Sequence, residues 1–232
     1  MRPLTLWGYE ARRAGWAALL GPPIAIALGV AAALANPLPG DQTTARILLG
    51  ALEMAVPLAA GVACASLVGR DPAVELQLTA ATPYRVTLLR RLVVTLAWTA
   101  LLAVLMAAGL IATGWWARWP ANHGAVLGQL TWLAPTLALS GVGFATAAVF
   151  RSPAVAGALV TTVWAIQQFF GEAAQQHRPG RLLYLFATTR GAAPGDWTAN
   201  RLTLLGVAAL STAIALAVLS RSERLIGEED EG

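Results

Sequence analysis

The sequence predicts an all-α integral membrane protein, a single domain of six transmembrane helices with both termini in the cytoplasm. Three observations carry that fold class. Of 232 residues, 57% are hydrophobic and 12% are charged, about half the roughly 25% charge of an ordinary soluble domain. Six apolar runs approach the roughly 20 residues that a helix needs to cross a hydrocarbon core about 30 Å thick. The arginines divide unequally between the two sets of connections, as the excess of positive charge in cytoplasmic loops requires. With the N-terminus inside, Arg2, Arg12, Arg13, Arg70, Arg85, Arg90, Arg91, Arg151, Arg221 and Arg224 lie inside, ten of the sixteen, and Arg46, Arg118, Arg178, Arg181, Arg190 and Arg201 lie outside.

In chain order, the first element precedes the membrane. Leu4, Trp7, Ala11 and Ala14 fall at helical spacing, with Glu10 and Arg13 elsewhere on the wheel. Residues 1–15 are therefore expected as an amphipathic helix on the inner surface. The six spans are expected at Trp16–Ala35, Ile47–Val68, Leu92–Gly114, Leu130–Phe150, Pro153–Phe170 and Leu202–Leu219. The start of the chain lacks the charged, short-apolar and small-residue pattern of a cleaved leader, so the first run is read as a retained span. Pro22, Pro23, Pro57 and Pro135 lie inside spans, where proline kinks a helix without breaking it. Small-residue runs such as "AAGVACAS" and "GVGFATAA" let helices approach closely.

The connection 69–91 holds the densest charge. Asp71 is an N-cap candidate with Pro72 at the first helical position, and Glu75 suits the first turn, where the helix dipole favours an acid. A short helix from about Pro72 to Ala80 follows, and Thr82–Pro83 repeats the cap-and-proline pattern before the third span. Arg85, Arg90 and Arg91 then open that span. The dipole opposes each by up to about 1 kcal/mol, which contact with anionic headgroups offsets at about 1 kcal/mol apiece. The residues alone leave two readings open, a capped surface turn or a docking helix for a cytoplasmic partner.

On the other face, Trp115, Trp116 and Trp119 cluster beside Arg118 and Pro120 where the third span ends, and Trp16 and Trp197 flank other spans. They are read as rings at the headgroup level. The segment 171–201, with "LLYLF" between the turn signals "RPG" and "APGD", is too short to cross and too apolar for a free loop. It is expected to dip partly into the membrane. The tail "GEEDEG" is read as a solvated acidic end.

The chain offers little chemistry of its own. It contains no lysine, so it cannot supply the lysine of a Walker A loop or of a Schiff base. One cysteine, Cys64, excludes an intramolecular disulfide or a cysteine zinc site and reads as core packing. The net charge of +4 comes from scattered arginines, without the basic stripe and interleaved aromatics of a nucleic-acid binder. No catalytic, cofactor or metal constellation is present, and His123 and His177 lack evident partners. Glu53 is the one acid placed inside a span, and no arginine or histidine is placed there. Glu53 is a candidate on a substrate path, because an intramembrane acid is a site hypothesis by default. The other reading is that it bonds a partner or reaches water near the outer end of its helix.

The chain resembles the membrane subunit of type-two ABC transporters, the six-span permeases without a fused ATPase. The likeness rests on "RDPAVELQLTAATPYRVTLLRRL" between spans two and three, the tight "FRSPAVAGAL" turn, and "PGDWTANRLTLLGVAAL" at the start of span six with "RSERLIGEE" at its end. With the surface helix and the long outer segment it covers nearly the whole chain, through the order of its pieces. The resemblance implies a homo- or heterodimer of permeases in a bacterial plasma membrane, each bound to a cytosolic ATPase that holds ATP and magnesium. It implies export of a drug, peptide, lipid or polysaccharide and no enzyme activity or cofactor on this chain. It assigns Asp71, Pro72, Val74, Glu75, Leu78 and Thr82 to the ATPase contact, and the segment 171–201 to re-entrant outer helices. Two other classes are carried as alternatives, a membrane anchor or assembly factor without transport, and a lipid-modifying enzyme using His123 or His177.

Overall fold

Aliphatic and alanine-rich runs that satisfy their own backbone can persist in an apolar medium only as helices or closed barrels, and this chain takes the helical route. The computed structural model describes residues 15–36, 40–68, 84–191 and 194–229. Among them the long helices are α1 (Gly15–Leu34), α2 (Asp41–Ser66), α3 (Tyr84–Ala112), α4 (Leu130–Phe150), α5 (Pro153–Phe169) and α8 (Trp197–Glu229). Two short helices, α6 (Gly171–Gln175) and α7 (Arg178–Leu183), lie between α5 and α8. Five helices, α1, α2, α3, α4 and α8, are long and apolar enough to cross a membrane. The fifth expected span, α5, has 17 residues.

The helices alternate in direction. One core cluster joins the start of α1 (Ala18), the end of α2 (Ala63–Val68), the start of α3 (Leu88, Leu92), the end of α4 (Phe144–Ala148) and the start of α5 (Ala156). It marks the Arg151 end of the bundle. The opposite cluster joins the start of α2 (Leu48, Leu49, Leu52) with the end of α3 (Ala107, Leu110) and with Trp116 and Trp132. This is the Trp197 end.

The inner helices are α2 and α4, with 61% of each span buried, against 17%, 28% and 22% for α1, α3 and α8. Without a hydrophobic drive between helices in lipid, close packing of small residues holds them. A Cβ on Gly143 would land on the carbonyl oxygen of Gly61, and one on Gly141 would stand 2.9 Å from the carbonyl oxygen of Ala208. These two glycines let α4 touch the backbones of α2 and α8 together.

Proline shapes the inner helices where their polar side chains sit. In α2 the turn Ala51–Ala55 is π-helical, and the Val56 N–H reaches back to the Ala51 carbonyl. Pro57 has no N–H for the Glu53 carbonyl four residues before it, and its ring crowds that carbonyl. A wider turn relieves the conflict. Pro135 in α4 stands in the same relation to Thr131.

Several expectations shift. α2 begins at Asp41, six residues before Ile47, and Asp41 pairs with Arg118 at 3.1 Å. α3 begins at Tyr84 and takes in Arg85, Arg90 and Arg91. Arg91 is buried within the protein, 4% exposed, so it does not serve as the headgroup anchor expected of it. Trp116 and Trp197 are also buried, at 3% and 2%, because their indole N–H groups find carbonyl and hydroxyl partners inside the fold. Trp16 is exposed. The expected surface helix and the tail beyond Glu229 lie outside the described residues.

Candidate functional site

The most polar region of the interior is built around Glu53. Its side chain is fully buried in the π-helical turn of α2. Oε1 accepts from the Thr188 backbone N–H at 2.8 Å and from Arg201 Nη2 in a short ion pair. Oε2 accepts from the Thr189 N–H at 2.7 Å and the Thr189 hydroxyl at 2.6 Å. A carboxylate has about four acceptor positions, and these four donors fill them.

Arg201 comes from the second turn of α8 and is also fully buried. Its Nη1 donates to the Leu185 carbonyl at 3.1 Å, and Nη2 also donates to Thr188 Oγ1 at 2.8 Å. Thr188 Oγ1 accepts a further bond from Trp197 Nε1 at 2.9 Å. Both its lone pairs are then used, so in its 3.2 Å contact with Thr131 Oγ1 the Thr188 hydroxyl is the donor. Trp119 Nε1 donates to the Thr188 carbonyl at 3.0 Å. One threonine thus joins α2, α4, α8 and the loop after α3.

What this network holds is a length of chain that is not helical. Residues Tyr184–Thr189 form turns and are all buried, so their backbone groups need partners inside the protein. Asn200 Nδ2 donates to the carbonyls of Arg181, Leu182 and Tyr184 at 2.8, 3.1 and 2.8 Å. Gln167 Oε1 accepts from the Leu185 N–H at 2.7 Å. Side chains from α2, α5 and α8 therefore take the place of the missing ladder. At the rim, His123 stacks on Trp197 with ring centres 3.7 Å apart. Burial holds the His123 imidazole below its ordinary pKa, Arg201 adds to that, and Glu53 opposes it.

Glu53 lies midway along α2, and it bonds a partner, Arg201, which the sequence places just outside the sixth span. The correction is to that span: α8 starts at Trp197, so Arg201 lies inside the helix. In sequence, an arginine that follows "TAN" four residues after Trp197 passes for part of the outer loop. The signal that could have found it is complementarity, since an acid buried in its ionised form calls for a buried cation. Thr188 and Thr189 carried no signal, because turn backbone donors are invisible in residue type. His123 belongs to the rim of this network, whereas His177 is exposed beside α7. Among the described residues no group of three or more His, Cys, Asp or Glu side chains could hold a metal ion. Asp71, Pro72, Val74, Glu75, Leu78 and Thr82 lie outside the described residues.

Comparison of the chain with protein-family models, curated proteins and solved structures finds no match.

Proposed function

We propose that the chain is the membrane subunit of an ATP-driven exporter in a bacterial plasma membrane, a six-span permease that pairs with a second copy or paralogue. On this reading α5 is the fifth span: 17 residues at 1.5 Å each give about 25 Å, the lower limit for crossing. The Trp197 end then faces outward, and the connection 69–83 faces the cytoplasm. A separate ATPase binds ATP and magnesium and docks at Asp71–Thr82. The absence of lysine fits a chain that leaves nucleotide chemistry to a partner.

The observation that carries the reading is the buried return between α5 and α8. The resemblance to type-two permeases calls for re-entrant structure at 171–201, and this stretch forms two short helices and a buried turn held by spans on three sides. A buried return of that kind suits a transporter that must keep its outer end closed until energy arrives from the cytoplasm. The test is co-expression with the ATPase encoded nearby, purification in mild detergent, and reconstitution into vesicles. The ATPase is expected to co-purify, and Glu75→Arg is expected to cut transport-coupled ATP hydrolysis several-fold while the melting temperature stays unchanged. Recovery of the chain without any ATPase, or full coupling in Glu75→Arg, would sink the proposal.

A further inference from the structure

A second polar feature lies apart from the Glu53 network. A pocket of about 470 Å³ opens at the Trp197 end between α2, the end of α5, α6 and the buried turn. Arg46 and Arg190 line it, and neither has an ion-pair partner among the described residues. Arg190 is fixed on one side, with Nη1 donating to the Gln168 carbonyl at 3.2 Å. Tyr184 lines the same pocket. Tyr184 is 1% exposed, and its hydroxyl lies against Gln175 and Gly171. Gln168 Oε1 is buried at the pocket wall without a donor. A buried polar atom left open in this way is costly, and a ligand donating a hydrogen bond at this wall would satisfy it.

The wall explains how the hydroxyl is presented. Gly171 opens α6 directly beneath Tyr184, where a Cβ would stand 2.5 Å from the phenol oxygen. Only glycine leaves the hydroxyl room at this point. Phe169 and Phe170, 79% and 63% exposed at the end of α5, add an apolar side to the wall.

We propose that this pocket binds the headgroup of an amphiphile that carries a phosphate and free hydroxyls. Arg46, Arg190 and the Tyr184 hydroxyl supply donors to the phosphate, a chemistry in which arginine excels. Gln168 Oε1 and the Glu172 carboxylate on the rim accept from the hydroxyls, which accounts for an acid beside an anion site. Phe169 and Phe170 meet the acyl chains. The assignment does not depend on the transport reading.

The test uses the purified full chain in detergent, with native mass spectrometry as the readout. Phosphatidylglycerol, phosphatidylcholine and water-soluble glycerol phosphate are titrated separately. Phosphatidylglycerol is expected to be retained at least tenfold better than phosphatidylcholine, which has the phosphate but no free hydroxyl. Arg46→Gln, Arg190→Gln and Tyr184→Phe are each expected to weaken that retention about fivefold or more without lowering the melting temperature. Equal retention of the two lipids, or full retention in both arginine variants, would overturn the proposal. Glycerol phosphate binding as tightly as the lipid would overturn the amphiphile assignment.

Discussion

At the Trp197 end, α2, α4 and α8 are joined through a turn of chain by charge and hydrogen bonds; toward the Arg151 end α4 touches α2 and α8 directly. At the first, Glu53, Arg201 and Thr188 are fully buried and almost every polar atom is partnered. At the second, Gly61, Gly141 and Gly143 bring backbones together, and the core there is largely alanine, leucine and valine. Both ends solve the same difficulty, which is that helices in lipid gain little from hiding apolar surface. Close packing of small residues is a continuous, modest attraction that tolerates sliding. A buried ion pair with four hydrogen bonds fixes one register and is costly to disturb. The molecule is therefore expected to be rigid at the Trp197 end and more adaptable at the other.

The largest expected effect comes from splitting the ion pair. Arg201→Met leaves the Glu53 carboxylate buried without its cation, which costs about 3–5 kcal/mol. Thermal unfolding in detergent should show a large fall for this variant. The double variant Glu53→Met, Arg201→Met should recover a good part of the loss, since it removes the stranded charge. A single variant that melts like the wild type would show that the network is not what holds this end.

A smaller effect is expected at the other kind of contact. Gly143→Ala puts a methyl group against the Gly61 carbonyl and forces α2 and α4 apart. Overpacking of this sort costs about 1–3 kcal/mol. If the melting temperature and cross-linking between α2 and α4 are both unchanged, the close approach contributes nothing.

The smallest effect concerns pH. The folded pKa of His123 lies below the ordinary 6.5, so the unfolded chain takes up a proton first as pH falls. Its contribution to stability is complete above about 6.5 and is lost as pH drops through the folded value. His123→Phe keeps the stack on Trp197 and removes the titration. Wild type is expected to lose melting temperature between pH 7 and 5 more steeply than this variant, and equal slopes would remove His123 from the account.

Much of the fold was legible in residue order. Leu130–Phe150 matches its helix at both limits, because Pro153 and Ser152 cap the next helix and stop this one locally. The spans that came out short, at Ile47, Leu92 and Leu202, did so where polar residues continue a helix past the apolar run. Asp41–Arg46 and Trp197–Arg201 are helical because α2 and α8 keep their hydrogen bonding and find tertiary partners there. Glu53 was visible as an anomaly, whereas its partners were not, since they lie 135 to 148 residues away in sequence.

By itself the sequence determined an all-helical membrane-type chain, the small-residue faces that pack it and the isolation of one buried acid. Those properties follow from composition and spacing, which act over a few turns of helix. Only the tertiary structure decided that Arg201 answers Glu53, that Thr188 and Thr189 present their backbone to the same carboxylate, and that Trp116 and Trp197 turn inward. The reason is physical: a buried charge obliges the fold to supply partners, but the obligation names no residue. Any cation and any free N–H that the packing brings within reach can meet it.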